Sequence, residues 1–243
     1  MTDDGYFDAA IAAHYDDDPA STDPALIAAT VDVLKGLARD GAALELAIGT
    51  GRIALPLAHA GVPVTGIEMS RAMVDRMREK PGGDKVPVAI GDMTTTQVTG
   101  EFALCFLIFN TINNLTTQDA QITCFANAAA HLQPGGAFVV EVGVPKLQLL
   151  PLGERFVPSD VSDTHWCVDE YDVVSQEFSS HHMHIREGAA QLNSVPFRYV
   201  WPSELDLMAR MAGMRLTQRW ADWTRAPFTA LSPSHVSVWV KDA

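Results

Sequence analysis

The sequence predicts an α/β fold in which a Rossmann-like, seven-stranded and mostly parallel sheet is flanked by helices, with an antiparallel β insertion after strand five. Two observations support this prediction. Short apolar segments alternate with helical ones through residue 142, as in chains that build parallel sheets by right-handed crossovers. Glycine, acidic or amide residues also close successive apolar segments, where parallel sheets bind their ligands.

Composition narrows the classes of partner. The chain has 243 residues, with 17 basic against 30 acidic side chains and a formal net charge of -13. Phosphate backbones require concentrated positive charge, so no nucleic-acid partner is expected. The N-terminus lacks the layout of a signal peptide, and no apolar run approaches the roughly 18 residues that span a bilayer. We therefore expect a cytoplasmic protein with no membrane partner; a homodimer is compatible with the sequence.

The first 40 residues are expected to form an N-terminal helical cap. Phe7, Ile11 and Tyr15 recur at helical spacing ahead of the main fold. Tyr6, His14 and Tyr15 are its candidate functional groups. Asp23 followed by Pro24 then predicts the start of a second helix.

Residues 41–144 and 202–243 are predicted to form the core of the fold. After a first strand at 43–46 and a helix at 53–59, the expected strands are 62–67, 86–90, 102–109 and 137–142. Ser70 is expected to cap a helix that runs to about Lys80, and Thr116 or Thr117 the next one, which Pro134-Gly135-Gly136 would end. A helix after Pro202 and a strand pair at 214–220 and 235–240 would complete the core.

Residues 145–201 have a different pattern and are predicted to be the antiparallel insertion, a lid over the substrate. Its expected strands lie around Trp166–Tyr171, at 173–184 and at 190–199, with a turn at Arg186-Glu187-Gly188. Six aromatic side chains could wall a substrate pocket, although core packing explains them equally well: Trp166, Tyr171, Phe178, Phe197, Tyr199 and Trp201.

The glycine loop after the first strand admits two ligands. Gly49 to Ala54 satisfies the loose dinucleotide pattern G-x-G-x-x-A, with Glu68 as the acid on a ribose. Glu45, however, places a carboxylate inside the strand. A dinucleotide site needs no charge at this position, whereas a cationic ligand needs an acid there. Gly91-Asp92-Met93 adds an acid and an apolar side chain suited to the amino group and ring face of adenine.

At these residues the sequence resembles the class I S-adenosylmethionine-dependent methyltransferases. Their first motif, E/D-x-G-x-G-x-G, stands here as Glu45 to Gly51, with Ala47 in place of the first glycine at a cost of one methyl of clearance. Gly66 to Ser70 matches the second motif and Gly91 to Met93 the adenine motif. Leu132 to Gly136 matches a further feature before strand five. The resemblance covers about residues 40 to 142.

The resemblance implies S-adenosyl-L-methionine as cofactor and S-adenosyl-L-homocysteine as product. Glu68 would bind both ribose hydroxyls, Asp92 would bind adenine, and Glu45 would act near the cofactor ammonium group. The implied cofactor-binding residues are Tyr15, Glu45, Ala47, Gly49, Gly51, Arg52, Glu68, Met69, Gly91, Asp92, Met93, Phe109 and Asn110.

The expected reaction is methyl transfer to an O or N atom of a small organic acceptor, such as a secondary metabolite. The insertion is similar to that of enzymes acting on amino sugars and other secondary metabolites. Asn110 is not followed by the prolines and the aromatic residue that are found at this position in DNA-adenine methyltransferases. Two alternatives remain open: an NAD(P)-dependent oxidoreductase using the same glycine loop, and a non-catalytic cofactor-binding protein.

The candidate catalytic residues are His182, His181 and Tyr15. In-line methyl transfer depends mostly on positioning, and a base is needed only when the nucleophile must lose a proton. In a strand, His182 and His184 share one face while His181 lies on the other. Two of these histidines could bind a metal, but no third ligand is identifiable, so no metal site is predicted.

Overall fold

The computed structural model describes residues 7–17, 22–186 and 188–242, so the candidate Tyr6 and the turn residue Glu187 lie outside the described residues. The helices are α1 (Ala9–His14), α2 (Pro24–Ala38), α3 (Ala54–His59), α4 (Arg71–Arg78), α5 (Gln118–His131) and α6 (Pro202–Met211). The strands are β1 (Ala43–Leu46), β2 (Val64–Glu68), β3 (Val88–Ile90), β4 (Phe102–Leu107), β5 (Leu132–Gly143), β6 (Phe156–Val161), β7 (His165–Tyr171), β8 (Glu177–Arg186), β9 (Ala189–Arg198), β10 (Met214–Trp220) and β11 (Ser234–Lys241).

The main sheet has seven strands in the order β3-β2-β1-β4-β5-β11-β10. The strands from β3 to β5 pair in parallel, whereas β11 and β10 are antiparallel additions at one edge. A second, antiparallel sheet with the order β6-β7-β8-β9 follows β5. The predicted fold class, including the insertion after strand five, is confirmed.

Helices cover both faces of the main sheet. Side chains of α2, α3 and α4 pack with Leu104 and Phe106 of β4 on one face, and those of α5 and α6 pack with Cys105 and Leu107 on the other. Every residue of β4 is buried, as expected for a central parallel strand. The carboxyl ends of the parallel strands consequently lie along a single edge, where they can share one ligand.

Two predicted helix starts are confirmed by their side-chain caps. The Ser70 hydroxyl accepts a hydrogen bond from the Met73 N–H at the start of α4. Thr117, rather than Thr116, accepts from the Ala120 N–H at the start of α5. These bonds satisfy N–H groups that have no partner within the helix.

Several elements differ from the prediction, either in their bounds or because they were not predicted. α5 ends at His131 and β5 already begins at Leu132, which pairs with Phe102, so Pro134-Gly135-Gly136 lies inside the strand. Strand β6 was not predicted, because Val157 is its one buried residue and it therefore lacks an apolar alternation. β8 begins at Glu177 rather than at 173, since the Asp172 carboxylate accepts from the next N–H groups and holds a turn.

A buried polar cluster attaches the insertion to the core. Arg198, at the end of β9, is 4% exposed and forms an ion pair of 2.8 Å with Glu204 of α6. Its guanidinium also donates hydrogen bonds to Gln121 of α5 and to Gln176. Because a buried charge is costly without its partners, this cluster fixes where the insertion lies over the sheet edge.

No helix among the described residues is long and apolar enough to cross a membrane.

Candidate active site

A cavity of about 840 Å³ opens at the carboxyl ends of the parallel strands, between the main sheet and the insertion. Most of the predicted cofactor residues line it: Tyr15, Ala47, Gly49, Glu68, Met69, Gly91, Asp92, Met93, Phe109 and Asn110. Glu45 and Arg52 instead line an adjoining pocket of about 30 Å³, which shares Tyr15, Ala47, Gly49 and Phe109 with the main cavity. Gly51 lines neither.

The glycine loop adopts left-handed backbone at each of its motif positions, with φ of 53° at Ala47, 56° at Gly49 and 75° at Gly51. The cost of alanine at position 47 is therefore larger than the lost clearance of one methyl group. A residue with a Cβ is destabilised by about 1–2 kcal/mol in left-handed backbone. A Cβ on Gly51 would lie 2.6 Å from Cγ of Met77. Gly51 thus serves the turn and its packing on α4.

Glu68 is held at the end of β2 by backbone donors. One carboxylate oxygen accepts from the Gly49 N–H at 2.8 Å, and the other accepts from the Ser70 N–H at 2.9 Å. At the end of β3, one oxygen of Asp92 accepts from both the N–H and the hydroxyl of Thr94. These bonds fix two carboxylates on the cavity wall in defined orientations.

Glu45 is a buried carboxylate with one unsatisfied oxygen. Its side chain is 4% exposed, and its Oε2 has no hydrogen-bond partner among the described residues. Burial raises the pKa of this carboxyl well above its usual value, a shift that the nearby Arg52 opposes and Glu68 reinforces. Such an atom can be satisfied by a cationic ligand or by a bridging water.

Arg52 and Phe109 form the boundary between the two pockets. The Arg52 guanidinium carbon lies 3.7 Å from the centroid of the Phe109 ring, a cation–π contact. Phe109 and Asn110 are both left-handed, with φ of 60° and 63°. Glu141, which was not among the predicted site residues, holds them there: its carboxylate accepts from the Phe109 N–H at 3.0 Å, and its backbone carbonyl accepts from the Asn110 N–H at 3.2 Å. Its signal was an acid within an apolar strand, as at Glu45.

The N-terminal segment closes over the glycine loop. Asp16 accepts a hydrogen bond from the Thr50 hydroxyl at 2.7 Å and forms an ion pair of 2.7 Å with Lys80. Burial opposes ionisation of Asp16, but the contacts from Lys80 and Thr50 outweigh it and lower the pKa. The segment brings Tyr15 to the cavity, whereas His14 is exposed and pairs with Asp17.

The insertion supplies the other half of the cavity wall. Four of the six predicted aromatic residues line it, namely Tyr171, Phe178, Phe197 and Tyr199. Trp201 packs against this group, while Trp166 is 48% exposed. An ion pair that sequence analysis missed lies beside them: Lys146 approaches Asp169 to 3.1 Å, and Asp169 is 6% exposed. Strand alternation from Tyr171 could have placed Asp169 on this face.

Two of the three candidate catalytic residues line the cavity, and the third does not. His182 lines the cavity together with Tyr15. His181 is not among the lining residues, and its ring contacts the Ser194 hydroxyl at 2.8 Å and the Glu170 carboxylate at 3.1 Å. The one-residue offset places these two histidines on opposite faces of β8.

Comparison with known proteins identifies the family. A methyltransferase-domain family matches residues 43–136. The CcbJ methyltransferase from Streptomyces caelestis is 37% identical, with a TM-score of 0.85 over 99% of this chain and 100% of that chain. The chain belongs to the class I S-adenosylmethionine-dependent methyltransferases. Its methyl donor is S-adenosylmethionine, so the oxidoreductase and non-catalytic alternatives are set aside.

Two further relatives of this methyltransferase are more distant. A cypemycin N-terminal methyltransferase from Streptomyces is 28% identical over 202 residues, which is 78% of each protein. CalS10, an amino pentose methyltransferase from Micromonospora echinaspora involved in calicheamicin biosynthesis, shares the fold at 21% identity, with a TM-score of 0.67 over 97% of this chain and 98% of that chain.

The residues present fit the cofactor. S-adenosylmethionine carries a cationic sulfonium, an ammonium group and two ribose hydroxyls, and the site offers carboxylates at three successive strand ends. The Glu45 oxygen that has no partner among the described residues is the most direct sign, because a buried, unsatisfied carboxylate oxygen is costly until a cation or a water reaches it.

Replacing Glu45 with glutamine should show separately how much the acid destabilises the fold and how much it contributes to cofactor affinity. Because burial raises the pKa of Glu45, the folded state binds a proton that the unfolded state releases, and stability falls as pH rises above the ordinary value of 4.5. Glu45→Gln should therefore melt higher than the parent without cofactor, by a margin that widens from pH 5 to pH 8. It should also bind S-adenosylmethionine at least about tenfold more weakly, or about 1.4 kcal/mol.

Thermal scans and calorimetric titration measure the two effects. Glu101→Gln is the control, since Glu101 is exposed. Unchanged cofactor affinity in Glu45→Gln would show that the acid has only a structural role.

Asp16→Asn should release the N-terminal segment. The variant loses the ion pair to Lys80, worth about 1 kcal/mol for a partly exposed pair, so S-adenosylhomocysteine should dissociate roughly fivefold faster. Stopped-flow dissociation measures this rate. Asp17→Asn is the matched control, because Asp17 pairs only with the exposed His14 in the described contacts. Equal rates in the two variants would contradict a closing role for the segment.

Proposed function

We propose that this methyltransferase transfers the methyl group of S-adenosylmethionine to an amine nitrogen of a small organic acceptor. One observation supports the proposal above the others. The same cavity of about 840 Å³ joins the cofactor residues of the sheet edge to the aromatic wall of the insertion. That volume lies in the range of small-molecule sites, and its walls suit a cofactor beside a small acceptor.

The residues at the strand ends would hold the cofactor in one half of the cavity. Glu68 would accept from the ribose hydroxyls, and Asp92 from the adenine amino group beside Met93. The glycine loop would carry the amino-acid end, with Glu45 and Arg52 at its charged groups. When bound, the cofactor supplies an electrophilic methyl carbon on a sulfonium.

The names of two relatives support a nitrogen acceptor over an oxygen acceptor, namely the cypemycin N-terminal methyltransferase and the amino pentose methyltransferase. Small amines are cationic at neutral pH, and Asp169, paired with Lys146, supplies a carboxylate on the insertion side of the cavity.

A protonated amine must lose its proton before its lone pair can attack. His182 lines the cavity, and burial followed by repulsion from His165 and His184 lowers its pKa below the ordinary 6.5. Its ring is therefore neutral at pH 7 and can accept that proton. Burial raises the pKa of Tyr15, so its phenol stays protonated and would act by donating a hydrogen bond and by positioning.

An acceptor panel tests the class of reaction. Matched pairs of small molecules that differ only in an amine or a hydroxyl group should be incubated with S-adenosylmethionine, and mass spectrometry should detect methylation of the amine members. Cofactor binding by calorimetry is measured in parallel. Methylation confined to the hydroxyl members would overturn the choice of nitrogen.

His182→Ala should lower turnover much more than cofactor affinity, because it removes a proton acceptor on the acceptor side. In the parent, the rate should rise with pH through a pKa below 6.5 and then level off, and the variant should lose this dependence. His181→Ala is the matched comparison on the opposite face of the strand. An equal loss of turnover in both variants would contradict the assignment of His182.

A further inference from the structure

Three histidines meet on the cavity-side face of the insertion, beyond its aromatic wall. His165 of β7 is the cross-strand partner of His184 of β8, and His182 lies two residues earlier on the same face. Their ring nitrogens lie within 4.8 Å of one another. The sequence places only His182 and His184 on one face, and the antiparallel register adds His165 as the third ligand.

The separations suit a metal ion. In a tetrahedral zinc site with metal–nitrogen bonds of about 2.05 Å, neighbouring nitrogens are roughly 3.3 Å apart. Nε2 of His165 and Nδ1 of His182 are already 3.1 Å apart. The rings of His165 and His184 are stacked, with centroids 4.3 Å apart, so rotation about their side-chain torsions is needed to direct the in-plane lone pairs at one ion.

Hydrogen bonds around the cluster orient the rings for coordination. The Asp160 carboxylate lies 2.6 Å from Nδ1 of His165 and accepts a hydrogen bond from it, which leaves the Nε2 lone pair directed at His182. A carboxylate behind a ligating histidine is the usual outer partner of a metal site. On the far side of His182, Nε2 lies 3.9 Å from the Cys167 sulfur, so Nδ1 is the nitrogen of this ring that faces His165.

We propose that His165, His182 and His184 form a binding site for a borderline divalent transition-metal ion such as Zn²⁺, with the open coordination position towards the acceptor cavity. Imidazole suits zinc, copper and nickel, whereas Mg²⁺ and Ca²⁺ prefer oxygen ligands. Coordination occupies one ring nitrogen of His182 and leaves a proton on the other. Metal binding and proton acceptance at His182 therefore exclude one another.

The test is a direct measurement of metal binding to full-length protein without a histidine tag. Zn²⁺ is titrated by calorimetry, and Co²⁺ is titrated by the visible absorption of its low-coordinate complexes. One ion should bind per chain, and Mg²⁺ should not compete. His165→Gln and His184→Gln should each weaken binding by roughly 100-fold, and Asp160→Asn by about tenfold.

His181→Gln is the matched control, because this histidine lies on the other face of β8 with Glu170 and Ser194. It should retain the parent affinity, and thermal melting of each variant checks that it folds. Absence of stoichiometric Zn²⁺ binding to the parent, or an equal loss in His181→Gln and His184→Gln, would overturn the proposal. Because neither readout uses methyl transfer, its failure is distinguishable from failure of the proposed reaction.

Discussion

The sheet side of the cavity depends on the two hydrogen bonds that the Glu68 carboxylate accepts. This carboxylate accepts from the Gly49 N–H of the glycine loop and from the Ser70 N–H at the start of α4. A buried carboxylate needs such donors, and the Gly49 N–H reaches it only while the loop keeps its left-handed turn. The position of the acid and the shape of the loop are thus fixed together.

The insertion side of the cavity depends on a different interaction, the buried ion pair of Arg198. Arg198, buried between the insertion and the helices α5 and α6, pairs with Glu204 and donates to two glutamines. Loss of a partner would leave a buried charge uncompensated, which opposes any rigid movement of the insertion on the core. Because this cluster is separate from the glycine loop, the two sides of the cavity are held by different contacts.

Several departures from the predicted structure have local causes that a sequence pattern cannot express. Ala47 matches a motif glycine closely enough to be recognised, yet its positive φ becomes visible only in the folded backbone. β6 escaped prediction because a strand with one buried side chain has no apolar period. Glu141 was not predicted as a site residue, because its carboxylate accepts a hydrogen bond from the backbone of Phe109, which is distant in the sequence.

The sequence by itself determined the fold class and the cofactor, and most of the residues it predicted to bind that cofactor line the cavity. Those residues lie in short motifs at the ends of parallel strands, so connectivity alone brings them to one edge. Only the tertiary structure decided the insertion side of the cavity. The Lys146–Asp169 pair joins the turn after β5 to β7, and the meeting of His165 with His184 depends on the register of antiparallel strands. A shift of one residue would turn those side chains to the other face, and the sequence pattern does not fix that register.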